Sequence, residues 1–550
     1  MADTPTTKAE QAAPPPAADI TVAPVTAADA SALPWWNGLG AEASHAASVE
    51  KAMSLRQALR AYPKAVFWSC AISLVIIMDG FDTALIGSFF AYPAFQQRFG
   101  VEISTGTYQV QAKWQTALGL ASTLGSIVGI FISGVLTERF GHKRVLMGAM
   151  TWLIGCIFII FFAPSVEVLF AGELLCGLSW GMFATMGSAY ASEVAPVALR
   201  AYLETCVVVC WGLGQLVANA ILDSLNTRKD QWAWRIPVAV QWAWPVLIIP
   251  LVVFCPESPW WLVRQGRLPE AEHSFKRLSS ASADEARAAV ALMVETTELE
   301  RSLSEGDSYR DCFRGPDLWR TEISCIAWAS QAFLGFAIVS YAVYFYEMAG
   351  LPTTAAYKMS LGQSGLHLVC NGLSIVVGNR HGRRPIYIWG ALFMSCMMFL
   401  IGFLALAHQT PAIGYASSAL FLVWFCAYEM TVGPASFVIV GETSSTKLRS
   451  KTIALSRNAY NLANIVSLTV APYCLNPTEG NWKGKTAFLA AGFGLLAALW
   501  AYFRLPECKG RTYEEIDLLF HQNLRAWEFS SYEVSPEQQV EAKVMAEHNE

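Results

Sequence analysis

The sequence predicts an all-α membrane protein with twelve transmembrane helices in two six-helix halves. Three observations carry this: long uncharged apolar blocks, alternating charge in the short loops, and a repeat between the two halves of the chain. Of 550 residues, 54% are hydrophobic and 15% charged, and the mean hydropathy is +0.37. Residues 145–163 and 385–407 contain no Asp, Glu, Lys or Arg. At that length, roughly 20 residues, a helix crosses a ~30 Å hydrocarbon core. Membrane β-strands are about 10 residues of alternating polarity, which these uniformly apolar runs do not match.

Read in order, the blocks place spans at 66–91, 114–136, 145–163, 168–190, 202–222, 236–254, 323–346, 359–378, 386–407, 412–440, 453–474 and 486–503. The chain then divides into a disordered cytoplasmic tail (1–65), an N-terminal half (66–254), a polar cytoplasmic linker (255–322), a C-terminal half (323–505) and a second cytoplasmic tail (506–550). The first 50 residues are rich in Ala, Pro and Thr and lack the basic and apolar regions of a secretory signal. In the linker, 268–278 and 283–303 read as amphipathic helices, with Pro269 placed to start the first.

Loop charge sets the orientation. Arg139, Lys143 and Arg144, then Arg380, Arg383 and Arg384, then Lys447, Arg449 and Lys451 lie in alternate short loops, whereas 408–411 has no Lys or Arg. The positive-inside rule puts the basic loops and both termini in the cytoplasm. Arg228, Lys229, Arg235, Lys483 and Lys485 fall on the other side and weaken the contrast.

The repeat is the stronger sign. Glu138-Arg139-Phe140-Gly141-His142-Lys143-Arg144 recurs loosely as Asn379-Arg380-His381-Gly382-Arg383-Arg384. Glu193 and Arg200 are matched by Glu442 and Arg449, and Pro256-Glu257 by Pro506-Glu507, at nearly one offset. All lie at the predicted cytoplasmic edge. They serve either topology and anchoring or gating, in which Glu138, Arg139, Arg144, Glu193, Arg200, Glu257, Arg380, Arg383, Glu442, Arg449 and Glu507 pair across the halves when that side is closed.

Other chemistries find no support. The chain has no phosphate-binding loop, HExxH or Gly-x-Ser-x-Gly elbow, so no enzyme is expected. Most of the 13 Cys lie inside spans as small hydrophobes, and their spacing suggests neither a disulfide framework nor a metal site. No cofactor is expected, and a net charge of −5 points to no nucleic-acid partner.

These residues resemble the sugar porter branch of the major facilitator superfamily over about residues 65–520. Gly80-Phe81-Asp82-Thr83 matches the first-helix pattern, and 134–144 matches the loop signature with Glu138 in place of Asp. Tyr190 to Pro196 with Arg200 matches the fourth-to-fifth-helix signature, and Pro256-Glu257-Ser258-Pro259-Trp260 and Pro506 to Thr512 match the motifs after the sixth and twelfth helices. Gly172 to Gly177, Ala454 to Asn458 and Tyr344 to Gly350 are similar to fungal α-glucoside permeases. The resemblance implies a major facilitator fold and proton symport of a sugar at the plasma membrane. Sugar porters bind through Gln and Asn, and here the fifth-helix Gln falls at Val208. In the seventh helix Gln331 is kept while the next positions are Ala332 and Ala337, and the eighth-helix amide position is His367.

A carboxylate inside the bilayer costs several kcal/mol unless paired, hydrated or protonated. Asp79 and Asp82, at i and i+3, share one face of the first helix and suit a proton carrier. Glu173 stands where many sugar symporters have an Arg, Arg457 is a substitute cation, and Glu429 adds a third membrane-embedded acidic site. The expected coupling set is therefore Asp79, Asp82, Glu173, Glu429 and Arg457; each acid could instead be a packing or interfacial residue. Gln331, His367, Asn461 and Asn464 are the expected substrate ligands. Gly433-Pro434 should bend the tenth span. The expected partners are a small solute, H+ and the lipid bilayer. The leading reading is a proton-coupled importer of an α-glucoside, sugar or polyol. The alternatives are a carrier or exporter of a less polar metabolite and a non-transporting nutrient receptor.

Overall fold

In a computed structural model the described residues are 53 and 55–532, apart from 105–106, 305–307, 409, 446–447, 478, 510, 512, 523 and 530–531. Twelve helical spans form two halves. In the N-terminal half they are span 1 (Pro63–Phe89), span 2 (Ala112–Phe140), span 3 (His142–Phe161), span 4 (Val166–Val194), span 5 (Val197–Leu225) and span 6 (Trp232–Phe254). In the C-terminal half, span 7 runs in pieces from Gly315–Gln331 to Ala342–Met348, followed by span 8 (Thr353–Arg380) and span 9 (Arg383–Leu404). Span 10 (Pro411–Thr443), span 11 (Arg449–Leu475) and span 12 (Lys483–Arg504) complete it. Spans 7, 8 and 11 are more polar or more broken than the other nine, and two of them carry much of the polar wall described below.

Breaks occur where the backbone loses a bond. Span 10 divides at Thr431 (φ −125°, ψ −89°), three residues before Pro434, whose missing N–H cannot bond the preceding turn. Span 7 carries a π-helical turn at Ala332–Phe336 with Gly335 at φ +111°, and breaks again at Tyr341. Between spans 1 and 2, β1 (Val101–Ser104) pairs antiparallel with β2 (Thr107–Gln109) at the end of the bundle opposite the basic loops. Nothing in the apolar pattern marks this hairpin.

The sequence repeat has a physical basis at the basic end. Glu257 accepts from the backbone N–H groups of His142 (3.1 Å) and Lys143 (3.2 Å), at the N-terminus of span 3. Glu507 does the same for Arg383 and Arg384, both at 3.1 Å, at the N-terminus of span 9. Each carboxylate satisfies two of the orphan donors of a helix start and faces the positive end of its dipole. Both need glycine beside them: a Cβ on Gly141 would sit 2.6 Å from Glu257 Oε2, and one on Gly382 would sit 2.1 Å from Glu507 Oε2.

The linker forms helices Pro259–Arg264, Leu268–Leu278 and Ala283–Ser304, the first unforeseen. Trp261, Leu268, Phe275, Val290 and Val294 give them a small core of their own. They are fastened to the N-terminal half: Arg277 donates to the Phe254 carbonyl (2.7 Å) and Trp261 Nε1 to that of Glu138 (2.9 Å).

The expected tails are corrected in part. Leu55–Ala61 is helical, with Ala58 buried against Ala191, Leu199 and Leu203. Tyr513–His521 is also helical, and its Asp517 pairs with Arg320 at the base of span 7. Burial of these apolar faces overrides the polar composition. Residues 1–52 and 533–550 lie outside the described residues.

Candidate functional site

A cavity of about 500 Å³ lies between the halves, lined from spans 1, 2, 4, 5, 7, 8, 10 and 11. Asp79 and Asp82 both border it, from the helix Val75–Phe89 of span 1, but their surroundings differ. Asp79 is half-buried, with Trp211 and the charge of Arg457 within reach. The Arg457 guanidinium stands over the rings of Trp328 (5.6 Å) and Tyr460 (5.5 Å), an arrangement that holds a cation in an apolar setting.

Asp82 is 2% exposed and turned into its own half. Trp180 Nε1 of span 4 donates to its Oδ2 (3.0 Å), and Gln241 Nε2, from the turn inside span 6, donates to its Oδ1 (2.8 Å). Glu173 of span 4, 1% exposed, stands beside it. Among the described residues no Lys or Arg pairs with either acid. Trp180 and Gln241 escaped the sequence reading, although Gln241 is a lone amide in an apolar span, a signal of the kind used elsewhere.

Hydrogen-bonding groups suited to hydroxyls face these acids. Gln215 and Asn219 come from span 5, Gln363 from span 8, and Asn461 and Asn464 from span 11. The last two were expected; the first three were not, though each is a polar residue in an apolar stretch. Asn219 Nδ2 donates to Ser364 Oγ (2.8 Å) and accepts from Ser360 Oγ at its Oδ1 (3.1 Å). Gln363 accepts from Tyr346 OH (2.7 Å).

Two expected substrate ligands stand elsewhere. Gln331 is 3% exposed and accepts from Tyr428 OH (2.8 Å), off the cavity wall. The π-helical turn of span 7 starts one residue later. His367 is also off the wall, buried edge-on to Trp211 at 5.7 Å between centroids, with Nδ1 3.1 Å from Glu429 Oε1. Glu429, expected among the coupling acids, is thus paired one layer behind the cavity and does not line it.

Besides the contacts of Asn219 and Trp211 with span 8, the halves are tied together at one end. At the end opposite the basic loops, Tyr357 OH donates to the Ser88 carbonyl (2.7 Å), Asn476 Nδ2 to that of Val110 (3.1 Å), and Gln109 to Tyr344 OH. At the basic end the charged groups named here make their contacts within their own half. There the expected gating residues sort into one cluster per half. Glu193 pairs with Arg264 (2.5 Å) and has His142 Nε2 at 3.8 Å, and Glu257 caps span 3. Arg383 forms a two-pronged pair with Glu442 (2.7 Å), and Glu507 caps span 9. Arg139 lies over Phe140 (5.5 Å), Arg380 accepts from Lys509 at its carbonyl (3.0 Å), and Arg449 donates to the Gly441 carbonyl (3.1 Å). The Glu138 carbonyl is bonded by the linker, Arg144 faces an outer groove, and the Arg200 side chain lies outside the described residues.

The family model for sugar (and other) transporters matches residues 68–520. The chain belongs to the sugar transporter family. Within that family it is 36% identical over 503 residues to a maltose permease of Saccharomyces cerevisiae, covering 90% of this chain and 82% of that one. It is equally 36% identical over 502 residues to a general alpha-glucoside permease of the same yeast, covering 90% and 81%. Its fold is that of a proton:xylose symporter bound to 6-bromo-6-deoxy-D-glucose, with a TM-score of 0.65 at 21% identity over 84% of this chain and 100% of that one. An inward-open form of the xylose transporter from E. coli matches with a TM-score of 0.63 at 22% identity, over 82% and 98%. As a member of this family the chain is a multi-pass membrane transporter, not an enzyme.

Proposed function

We propose that the protein carries an α-glucoside, or a polyol of similar hydrogen-bonding character, together with protons, through alternating exposure of the central cavity. The carrying observation is the Asp82–Glu173 pair: two buried carboxylates with, among the described residues, no Lys or Arg beside them, of which Asp82 borders the cavity that presents amides from spans 5, 8 and 11. Adjacent carboxylates in so dry a site hold at most one negative charge between them, so a proton resides there. Trp180 and Gln241 keep Asp82 oriented whether or not it is charged. Asp79 and Arg457 place an opposite-charge couple between the halves, which a proton on Asp79 would loosen.

The solute class rests on chemistry and kinship. Hydroxyl-rich ligands need many paired donors and acceptors, and a cavity of about 500 Å³ lies within the roughly 300–1,000 Å³ usual for small-ligand sites. The curated relatives are a maltose permease and an alpha-glucoside permease. In this reading the basic end faces the cytoplasm of a plasma-membrane protein, the closed end faces outside, and the two charge clusters are gate halves that meet when the cavity turns outward.

Reconstituted protein taking up labelled maltose under an imposed proton gradient tests the reading. Uptake should follow the gradient, and Asp82→Asn should abolish accumulation while leaving exchange of labelled for unlabelled sugar. Accumulation undiminished in that variant refutes the coupling role. Failure of maltose and a polyol panel to move at all refutes the solute class.

A further inference from the structure

We propose that an outer groove between spans 2, 3 and 4 holds one anionic glycerophospholipid of the leaflet at the basic end, with its phosphate on Arg144. The groove encloses about 490 Å³ and is walled by Leu136, Phe140, Gly148, Trp152 and Met182, with Arg144 as its charged lining residue. It opens sideways: Phe140 is 42% and Trp152 49% exposed, and Val135 on the same stretch of span 2 is 69% exposed. Apolar side chains so placed face hydrocarbon. The wall along span 3 is bare backbone at Gly148, where an added Cβ would meet nothing within 4 Å.

The charge at the mouth selects the occupant. Arg144 is exposed and has no ion-pair partner among the described residues. Arg139, over the Phe140 ring, and Lys143, which donates to the Val253 carbonyl, add positive charge nearby, against the single exposed carboxylate of Glu138. A cation at the interface above an apolar slot fits a phosphate joined to acyl chains, and surplus positive charge favours a headgroup with net negative charge. The repeat provides an internal control. Aligned on the shared caps, Arg384 corresponds to Lys143, each donating to a carbonyl near the end of the sixth or twelfth span, and Arg144 corresponds to Pro385, so the C-terminal half has no guanidinium at this position.

The test uses the full chain in bilayers of phosphatidylcholine with a minor fraction of phosphatidylserine. Spin-labelled versions of each lipid report the immobilised fraction, and native mass spectrometry counts retained lipids. Phosphatidylserine should be preferred by roughly fivefold for the one cation. Arg144→Gln should bring that ratio near one. Gly148→Leu, which fills open space and so spares the fold, should lower retention of both lipids, and inorganic phosphate should not compete. Melting curves verify that both variants are folded. Equal retention of the two lipids by the unaltered protein overturns the proposal, as does a preference that survives both substitutions or is abolished by inorganic phosphate.

Discussion

The two halves agree at their basic edge and diverge at the membrane centre. Glu257 and Glu507 cap spans 3 and 9 through the same pair of backbone bonds, each beside a glycine. At mid-depth, by contrast, the N-terminal half holds two acids with, among the described residues, no Lys or Arg beside them, while the C-terminal half supplies Arg457 and the amides Gln363, Asn461 and Asn464. On the proposed reading a duplicated scaffold keeps the parts that start its helices and separates its chemistry, with the proposed proton-holding groups in one half and most of the proposed solute-holding amides in the other. Span 5 qualifies this division, since Gln215 and Asn219 lend amides from the acidic half.

Five substitutions break or sharpen that comparison. The largest effect belongs to the acid side: Glu173→Gln should erase the roughly 50-fold accumulation that one charge moving through 100 mV can support, read as the ratio of sugar inside to outside. Next come the paired glycines. Gly141→Ala should cost about 2–4 kcal/mol, because the residue sits at φ +87° and the new methyl displaces the capping carboxylate. Gly382→Ala disturbs the cap without the positive φ and should cost about 1–2 kcal/mol less. Thermal unfolding in detergent reads both, and equal losses would mean the two edges are not stabilised as described. Third, Asn464→Ala on the amide side should raise KM by about three- to tenfold, the value of one hydrogen bond, while gradient-driven accumulation persists. The smallest effect is expected for Arg264→Gln, where a half-exposed pair with Glu193 is worth at most about 1 kcal/mol of stability.

Much of the fold was readable because membrane burial writes itself into long apolar runs. Spans 7, 8 and 11 were the faintest, for a physical reason: span 7 is broken, and spans 8 and 11 place Gln363, Asn461 and Asn464 in the cavity, which lowers their hydropathy. Asp79, Asp82, Arg457, Asn461 and Asn464 were expected and border the cavity, whereas Gln215, Asn219 and Gln363 were not expected, and the grouping could not be read from spacing. Asp79 and Asp82 share a helix face, yet one meets the opposite half and the other turns to Trp180, Gln241 and Glu173. Spacing along one helix does not encode which neighbours surround it. The π-helical turn beside Gln331 has no periodic signature, and the His367–Glu429 contact between spans 8 and 10 is long-range.

The closed end is sealed by neutral partners, among them Tyr357 on the Ser88 carbonyl, Asn476 on that of Val110, and the Tyr92 and Tyr357 rings 5.6 Å apart. The basic end is built from guanidiniums and carboxylates. At physiological ionic strength charges are screened beyond about 8 Å, whereas neutral hydrogen bonds and ring contacts are little affected. Ionic strength therefore acts mainly on the basic end, and with that end in the cytoplasm, as proposed, concentrated cytosolic salt would retune the cycle while leaving the neutral seal in place.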